Sequence, residues 1–200
     1  LAGVDLTDAD YNVALGHLAL SADTLGSRST ALGRSALAAQ NFTTATNTYN
    51  TAVGFKAGVA NTTGETNTFL GATAGAANTS GNNNCAVGYA ALFTNILSDR
   101  NVAVGNNALY SHNQATSIDS YNVAVGFAAG TAITTSTHNT LIGGSAGDAL
   151  TSGASNVAVG YNALSLDTIG QRNVAIGRDA LATQNFTTGT NVYNTAVGDT

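Results

Sequence analysis

Apolar residues in this chain alternate with small or polar ones in short bursts of five, and the bursts recur. "YNVAVG" at 121, "RNVAVG" at 100 and "SNVAVG" at 155 are versions of a motif Asn–[Val/Thr]–Ala–[Val/Leu/Ile]–Gly that occurs eleven times. Its closing glycines are Gly16, Gly33, Gly54, Gly71, Gly88, Gly105, Gly126, Gly143, Gly160, Gly177 and Gly198. The spacing between them is either short (Gly16 to Gly33) or longer by four (Gly33 to Gly54). One long and three short intervals make a super-repeat, which carries Gly16 onto Gly88 and Gly88 onto Gly160. Residues 28–54 and 172–198, two super-repeats apart, agree at 20 of 27 positions. A fixed period of this kind is the signature of a solenoid or array and outranks any residue-by-residue reading.

The columns of the repeat predict the shape of one unit. Position four of the motif is always a branched aliphatic, from Leu15 to Val197, and position two is Val, Thr or Cys85. Spacing by two puts both on one face of a short strand, and their size suggests that this is the face each unit buries. Position three is Ala, replaced only by Phe69 and Leu141. Three residues after the Gly comes an invariant Ala, followed by Leu or Gly in step with the super-repeat. Three residues before the Asn stands Gly, Asn, Asp or Ser (Gly26, Asn47, Gly64, Ser98, Asp119), which reads as a left-handed corner; the motif Gly reads as a second. The Asn at position one, replaced once by Ser29, predicts a ladder of stacked side chains. Each unit is thus strand, Gly corner, second short strand, corner. Helix is disfavoured by the period of two and the frequent glycines.

A unit this short cannot fold independently, but it suffices for one coil of a parallel β-solenoid (β-roll). The expected fold is all-β, with about eleven 17- or 21-residue coils stacked into a rod roughly 50 Å long. Residues 1–10 form a lead-in and 11–200 a continuous array. The four extra positions of each longer coil should bulge as a loop on one side of the rod.

Composition narrows the function. Charged residues are 8% of the chain, with no Pro, Met or Trp, and the net charge is −5 with only six Lys and Arg. That excludes a nucleic-acid surface, which needs a basic stripe. No apolar run reaches the roughly 18 residues of a membrane helix. The lone Cys85 excludes an intramolecular disulfide and fills a small-residue slot, which predicts a buried thiol. The chain starts without Met and stops partway through the motif, which suggests a segment of a longer protein. The core each coil can build is thin, and two alanine columns would let a second backbone approach. Several copies packed side by side, most simply a parallel homotrimer, are expected; a lone solenoid with its alanines inside is the alternative.

"NVAVG" and "NVAIG" resemble the repeat of YadA-like head domains in trimeric autotransporter adhesins. The longer phrase "NTAVG…AL…TTG…NT" is similar to repeats of phage tail fibres and other surface fibres that end in an endosialidase-type intramolecular chaperone. The resemblance covers the chain from about Tyr11 onward. It implies a left-handed, trimeric parallel β-roll serving as the shaft or head of an extracellular fibre, on a bacterial cell surface or a virion, with a cell-surface glycan or protein as receptor.

Candidate chemistry is sparse. The acids, among them Asp23, Glu65, Asp99, Asp119 and Asp167, look isolated at turns and suggest solvated corners; no acid-lined groove of a β-helical carbohydrate-active enzyme is evident. His17, His112 and His138 have no metal spacing, and no cofactor motif occurs. The expectation is therefore not an enzyme, with no catalytic, metal or cofactor residues. Threonines look too scattered for an ice-binding ladder. The candidate contact residues are Phe42 and Phe186 in the loops of the longer coils, with Gln40, Gln184, Asn41 and Asn185 beside them. Aromatics also follow the Gly in alternate coils, at Phe55, Tyr89, Phe127 and Tyr161. If outward, these would stack on sugar rings; padding an inter-chain seam or covering an alanine face is the other use. Arg28, Arg100 and Arg172, each one super-repeat from the next, would find partners in a neighbouring chain.

Overall fold

The computed structural model describes residues 1–186, 188–189 and 191–199. Among these the strands are β1 (Val13–Leu15), β2 (Gly26–Ser27), β3 (Thr30–Leu32), β4 (Thr46–Asn47), β5 (Thr51–Val53), β6 (Thr68–Leu70) and β7 (Cys85–Val87). They continue as β8 (Val102–Val104), β9 (Val123–Val125), β10 (Thr140–Ile142), β11 (Val157–Val159), β12 (Val174–Ile176) and β13 (Thr195–Val197). Eleven of them make one parallel sheet in the order β1-β3-β5-β6-β7-β8-β9-β10-β11-β12-β13, and β2 pairs with β4. Register is strict: Thr51 sits beside Thr68, Val53 beside Leu70, and Leu70 beside Val87. Like residues therefore form continuous rows in an all-β solenoid of about eleven turns.

Which face is inside differs from the sequence expectation. In most strands the middle residue is buried and its two neighbours are half-exposed. The alanines at position three are completely buried from Ala31 to Ala175, as are Phe69 and Leu141 in their places. The Val, Thr, Leu and Ile columns at positions two and four face outward. Cys85, in the position-two column, is accordingly half-buried rather than buried. The physical reason is width. So short a coil folds two stretches of backbone against each other, and where its two alanine columns meet only small side chains fit, with the buried leucines beside them filling the rest. The facing column is the second invariant alanine, Ala19, Ala36, Ala57, Ala74, Ala91, Ala108, Ala129, Ala146, Ala163 and Ala180, also buried.

Within the position-three column, a residue larger than Ala appears only where glycines make room. Phe69 fills the space left by Gly58 and Gly75: a Cβ on Gly58 would stand 2.6 Å from its ring. Leu141 does the same for Gly130 and Gly147, with Cβ positions 2.8 Å from its methyls, and Ile133 and Leu150 join it. Volume is conserved along the rod, as close packing requires.

Among the described residues the wall opposite the sheet forms no continuous second ladder of strands; it is marked by residues with positive φ. The second and fourth residues after each motif Gly from Gly16 to Gly177 have φ near 55°, including the buried Leu37, Leu92, Leu109 and Leu164. Their N–H groups point along the rod in opposite senses: Ser35 donates back to His17 O at 2.8 Å and Leu37 forward to Ala57 O at 3.1 Å. Inter-coil hydrogen bonds satisfy the backbone in the absence of a strand ladder.

The two expected corners fare differently. The motif Gly column is a left-handed corner, with φ between 126° and 142°, and a Cβ on Gly33 would lie 2.5 Å from the carbonyl oxygen of Gly54 in the next coil. The column three residues before the Asn is not left-handed. At Gly26 and Gly64 glycine is needed for space, since a Cβ on Gly26 would press on the Asp23 carboxylate and one on Gly64 would lie 2.9 Å from Asn78 Nδ2. The left-handed residue is the one immediately before the Asn, such as Arg28, Thr66, Arg100 or Tyr121. Its N–H reaches the preceding coil: Arg100 N donates to Asn82 O at 3.0 Å.

Candidate functional site

Two parts of the molecule carry chemistry: a buried polar spine and the outward face of the sheet. The spine begins with the expected Asn ladder. Asn50 Oδ1 accepts from Asn67 N at 2.9 Å, Asn67 Oδ1 from Asn84 N at 2.9 Å, and so on to Asn173. The Nδ2 groups donate to carbonyls of the next coil, Asn50 to Gly64 O at 2.7 Å and Asn156 to Gly170 O at 2.9 Å.

A second ladder, which the sequence reading missed, runs beside it seven positions after each motif Gly. It comprises Asp23, Gln40, Asn61, Asn78, Asn95 and His112, all fully buried. The buried Ile133 and Leu150 follow in the same column, then Asp167 and Gln184. Asp23 is no solvated corner: it accepts from Gln40 Nε2 at 2.6 Å and Gly26 N at 3.1 Å. Gln40 Oε1 in turn takes Asn50 Nδ2 at 2.9 Å. Asp167 repeats the pattern with Gln184 at 2.7 Å and Gly170 N at 3.0 Å. Between these two, Asn95 and His112 occupy the equivalent places. His112 Nε2 lies 3.2 Å from Ser120 Oγ, and its burial lowers its pKa to about 4. Asn95 Oδ1, Ser98 Oγ and His112 Nδ1 have no partner.

The loops around Phe42 and Phe186 are anchored by this spine, so Phe42 is buried rather than presented at a protruding tip. Phe42 is only 5% exposed, its N–H turned to Asp23 Oδ1 at 3.3 Å and its carbonyl accepting from Thr24 Oγ1 at 3.1 Å. Phe186 is half-buried, with its N–H on Asp167. Asn41, Asn185 and the threonines after Phe42 are among the residues that the loops expose.

The outward face is built from four columns. Nearest the left-handed corner stand Tyr11, Arg28, Tyr49, Arg100, Tyr121, Arg172 and Tyr193 at the position before the motif Asn. The arginines find their partners in the same chain, contrary to the expectation of a neighbour. Arg28 stacks between Tyr11 and Tyr49, at 4.9 and 5.9 Å, and donates to Asn47 Oδ1 at 2.8 Å. Arg100 pairs with Asp119 and Tyr121, and Arg172 lies over Tyr193 at 5.4 Å. Next come the two rows of branched residues. Position two holds Thr30, Thr51, Thr68, Thr140 and Thr195 among valines, so these five threonines are less scattered than the sequence suggested. Last is the column after the Gly. Phe55, Tyr89, Phe127 and Tyr161 are 43%, 59%, 62% and 59% exposed. They do not cover the alanines, which face the other way.

At the corner, Glu65, Asp99 and Asp119 line one open depression of about 420 Å³ with Thr66, Asn82, Asn83 and Arg100, a grouping the sequence had not revealed. Their side chains tie coils together: Asp99 Oδ1 accepts from Asn82 N at 2.6 Å, and Asn82 Oδ1 from Glu65 N at 2.8 Å. Among the described residues no three His, Cys, Asp or Glu are grouped to hold a metal ion, and no helix is long and apolar enough to cross a membrane.

No protein-family model matches this chain. Comparison with curated proteins and with solved structures likewise gives no significant match.

Proposed function

We propose that this chain is a structural and adhesive segment of an extracellular surface fibre, shaft or head, on a bacterial cell or a virion, and that it works as a parallel homo-oligomer, most simply a trimer. The observation that carries the reading is the outward face. Two rows of branched aliphatic and Thr side chains, interrupted only by Cys85, run the length of an eleven-stranded sheet. A continuous apolar stripe of this length on one face is what an association surface looks like, since soluble monomers rarely leave such patches open. The seam is therefore assigned to the Val, Leu and Ile columns, not to the alanines, whose place is inside each coil. Parallel copies in register would set each row against its own copies.

The buried spine and inter-coil hydrogen bonds make the single coil stack coherent, and the seam makes it a fibre. The carboxylates of the corner depression serve as ties between coils in this reading, with Arg100 engaged on Asp119, and no catalytic role is assigned to them. Sedimentation equilibrium tests the proposal. The expected result is a mass three times the 19.9 kDa of the chain at micromolar concentration. A monomer at all accessible concentrations would refute it.

A further inference from the structure

The aromatic row after the motif glycines has a regularity that self-association does not require. Phe55, Tyr89, Phe127 and Tyr161 occupy every second coil, and the coils between them carry Ala72, Asn106 and Gly144 in the same column. With coils one strand spacing apart, the rings recur about every 10 Å along the rod. All four are exposed. Tyr161 leans along the surface toward the preceding coil, its Cδ2 3.4 Å from where a Cβ on Gly144 would be. The glycine of the alternate coil thus leaves room for the Tyr161 ring beside it. Phe55 is held by Arg34 of the preceding coil, 5.5 Å from its centroid, and by Lys56 at 5.4 Å. Between Ala72 and Tyr161 the column carries no charge, only aromatics, Asn106 and glycine.

We infer that this row is a binding platform for a neutral, extended β-linked polysaccharide. In a β-1,4-linked chain of six-membered sugars, alternate rings present the same apolar face, and two sugars span about the same 10 Å as two coils. One sugar per coil would place every second ring on an aromatic, the contact that pyranose C–H faces make with π systems. The sugars between would lie over Ala72, Asn106 and Gly144, with the Asn106 and Asn162 amides and the Tyr89 and Tyr161 hydroxyls in reach of their hydroxyl groups. From Phe55 to Tyr161 the row covers seven coils, and a six-sugar segment laid one sugar per coil engages three of its four rings. A helical α-linked chain keeps no such register. A polyanion is disfavoured by the net charge of −5.

This inference rests on the adhesive reading given above and names the class of glycan. The test is titration of the intact chain with a β-1,4-linked glucose hexasaccharide, followed by Tyr fluorescence and calorimetry, with the α-1,4-linked hexasaccharide as control. The β-linked probe should bind at least tenfold more tightly than the α-linked one. Tyr89→Ala and Phe127→Ala should each weaken it roughly tenfold, and Tyr49→Ala, in the other aromatic column, should not. Sedimentation mass should be unchanged in all three. Equal binding of the two probes, or none, overturns the inference while leaving the fibre reading intact. Dissociation of the oligomer by Tyr89→Ala or Phe127→Ala also overturns it, because the row is then part of the seam. A wild-type monomer that binds the β-linked probe would uphold the platform and refute the oligomer.

Discussion

Asp23–Gln40 and Asn95–His112 occupy the same two positions of the coil, one super-repeat apart, on nearly the same backbone. In the first pair a carboxylate, a side-chain amide and Asn50 close a fully bonded network around Ser29 and Thr48. In the second, three polar atoms are buried without partners. The difference shows that the repeat specifies the backbone through its alanines and glycines, and leaves the seventh position after the Gly free to vary as long as it fits. Polar saturation is then a property of each coil pair, and stability varies along the rod.

The largest expected effect tests the saturated pair. Asp23→Ala leaves Gly26 N and Phe42 N without their acceptor and removes one partner of Gln40, and should cost about 3–4 kcal/mol in chemical denaturation. Asn95→Ala, where the carbonyl oxygen is already unpartnered, should cost about half as much. Equal losses would show that the two networks do not differ.

Acid provides the next contrast. The His112 pKa lies at about 4 against an ordinary 6.5, so between those values the unfolded chain binds a proton that the folded chain does not. Its contribution is fully present above pH 6.5 and falls away as pH drops toward 4, by at most about 3 kcal/mol. Melting curves at pH 7 and pH 4.5 should separate more for the wild type than for His112→Gln. If His112→Gln leaves the pH dependence untouched, the imidazole does not titrate against folding.

The smallest effect is a repair. Transplanting the first pair into the second, as Asn95→Asp and His112→Gln with Ser98→Gly to clear the carboxylate, should stabilise the chain by about 1–2 kcal/mol, since it replaces orphaned atoms with the bonds seen at Asp23 and Gln40. A thermal shift of zero would mean that Asn101 and Ser120, where the first network has Ser29 and Thr48, prevent the transplant.

Much of this architecture was legible from the spacing of the glycines: the parallel solenoid, the register of Val53, Leu70 and Val87, and the Asn ladder. The face assignment was not. Period two separates the alanines from the valines but is silent on which side is inside, and the rule that large apolar residues are buried points the wrong way for so narrow a coil. One sequence signal did carry the answer. Phe69 and Leu141 replace Ala only where the neighbouring column has glycine pairs, Gly58 with Gly75 and Gly130 with Gly147, which is the mark of two columns sharing one interior. The spine was hidden for a different reason. Asp, Gln, Asn, His, Ile and Leu in one column look like a variable surface, and only their common burial shows otherwise. Phe42 was misplaced because a longer loop suggests protrusion, whereas Asp23 ties this one to the interior.

The central claim is that neighbouring residues of one strand have opposite destinations, Ala124 the interior and Val125 the outward face that we propose as the seam. The most direct measurement compares Ala124→Asp with Val125→Asp by circular dichroism and sedimentation. The account predicts that Ala124→Asp abolishes the folded signal, whereas Val125→Asp keeps it and sediments as a monomer. An unfolded Val125→Asp beside a folded Ala124→Asp would contradict it.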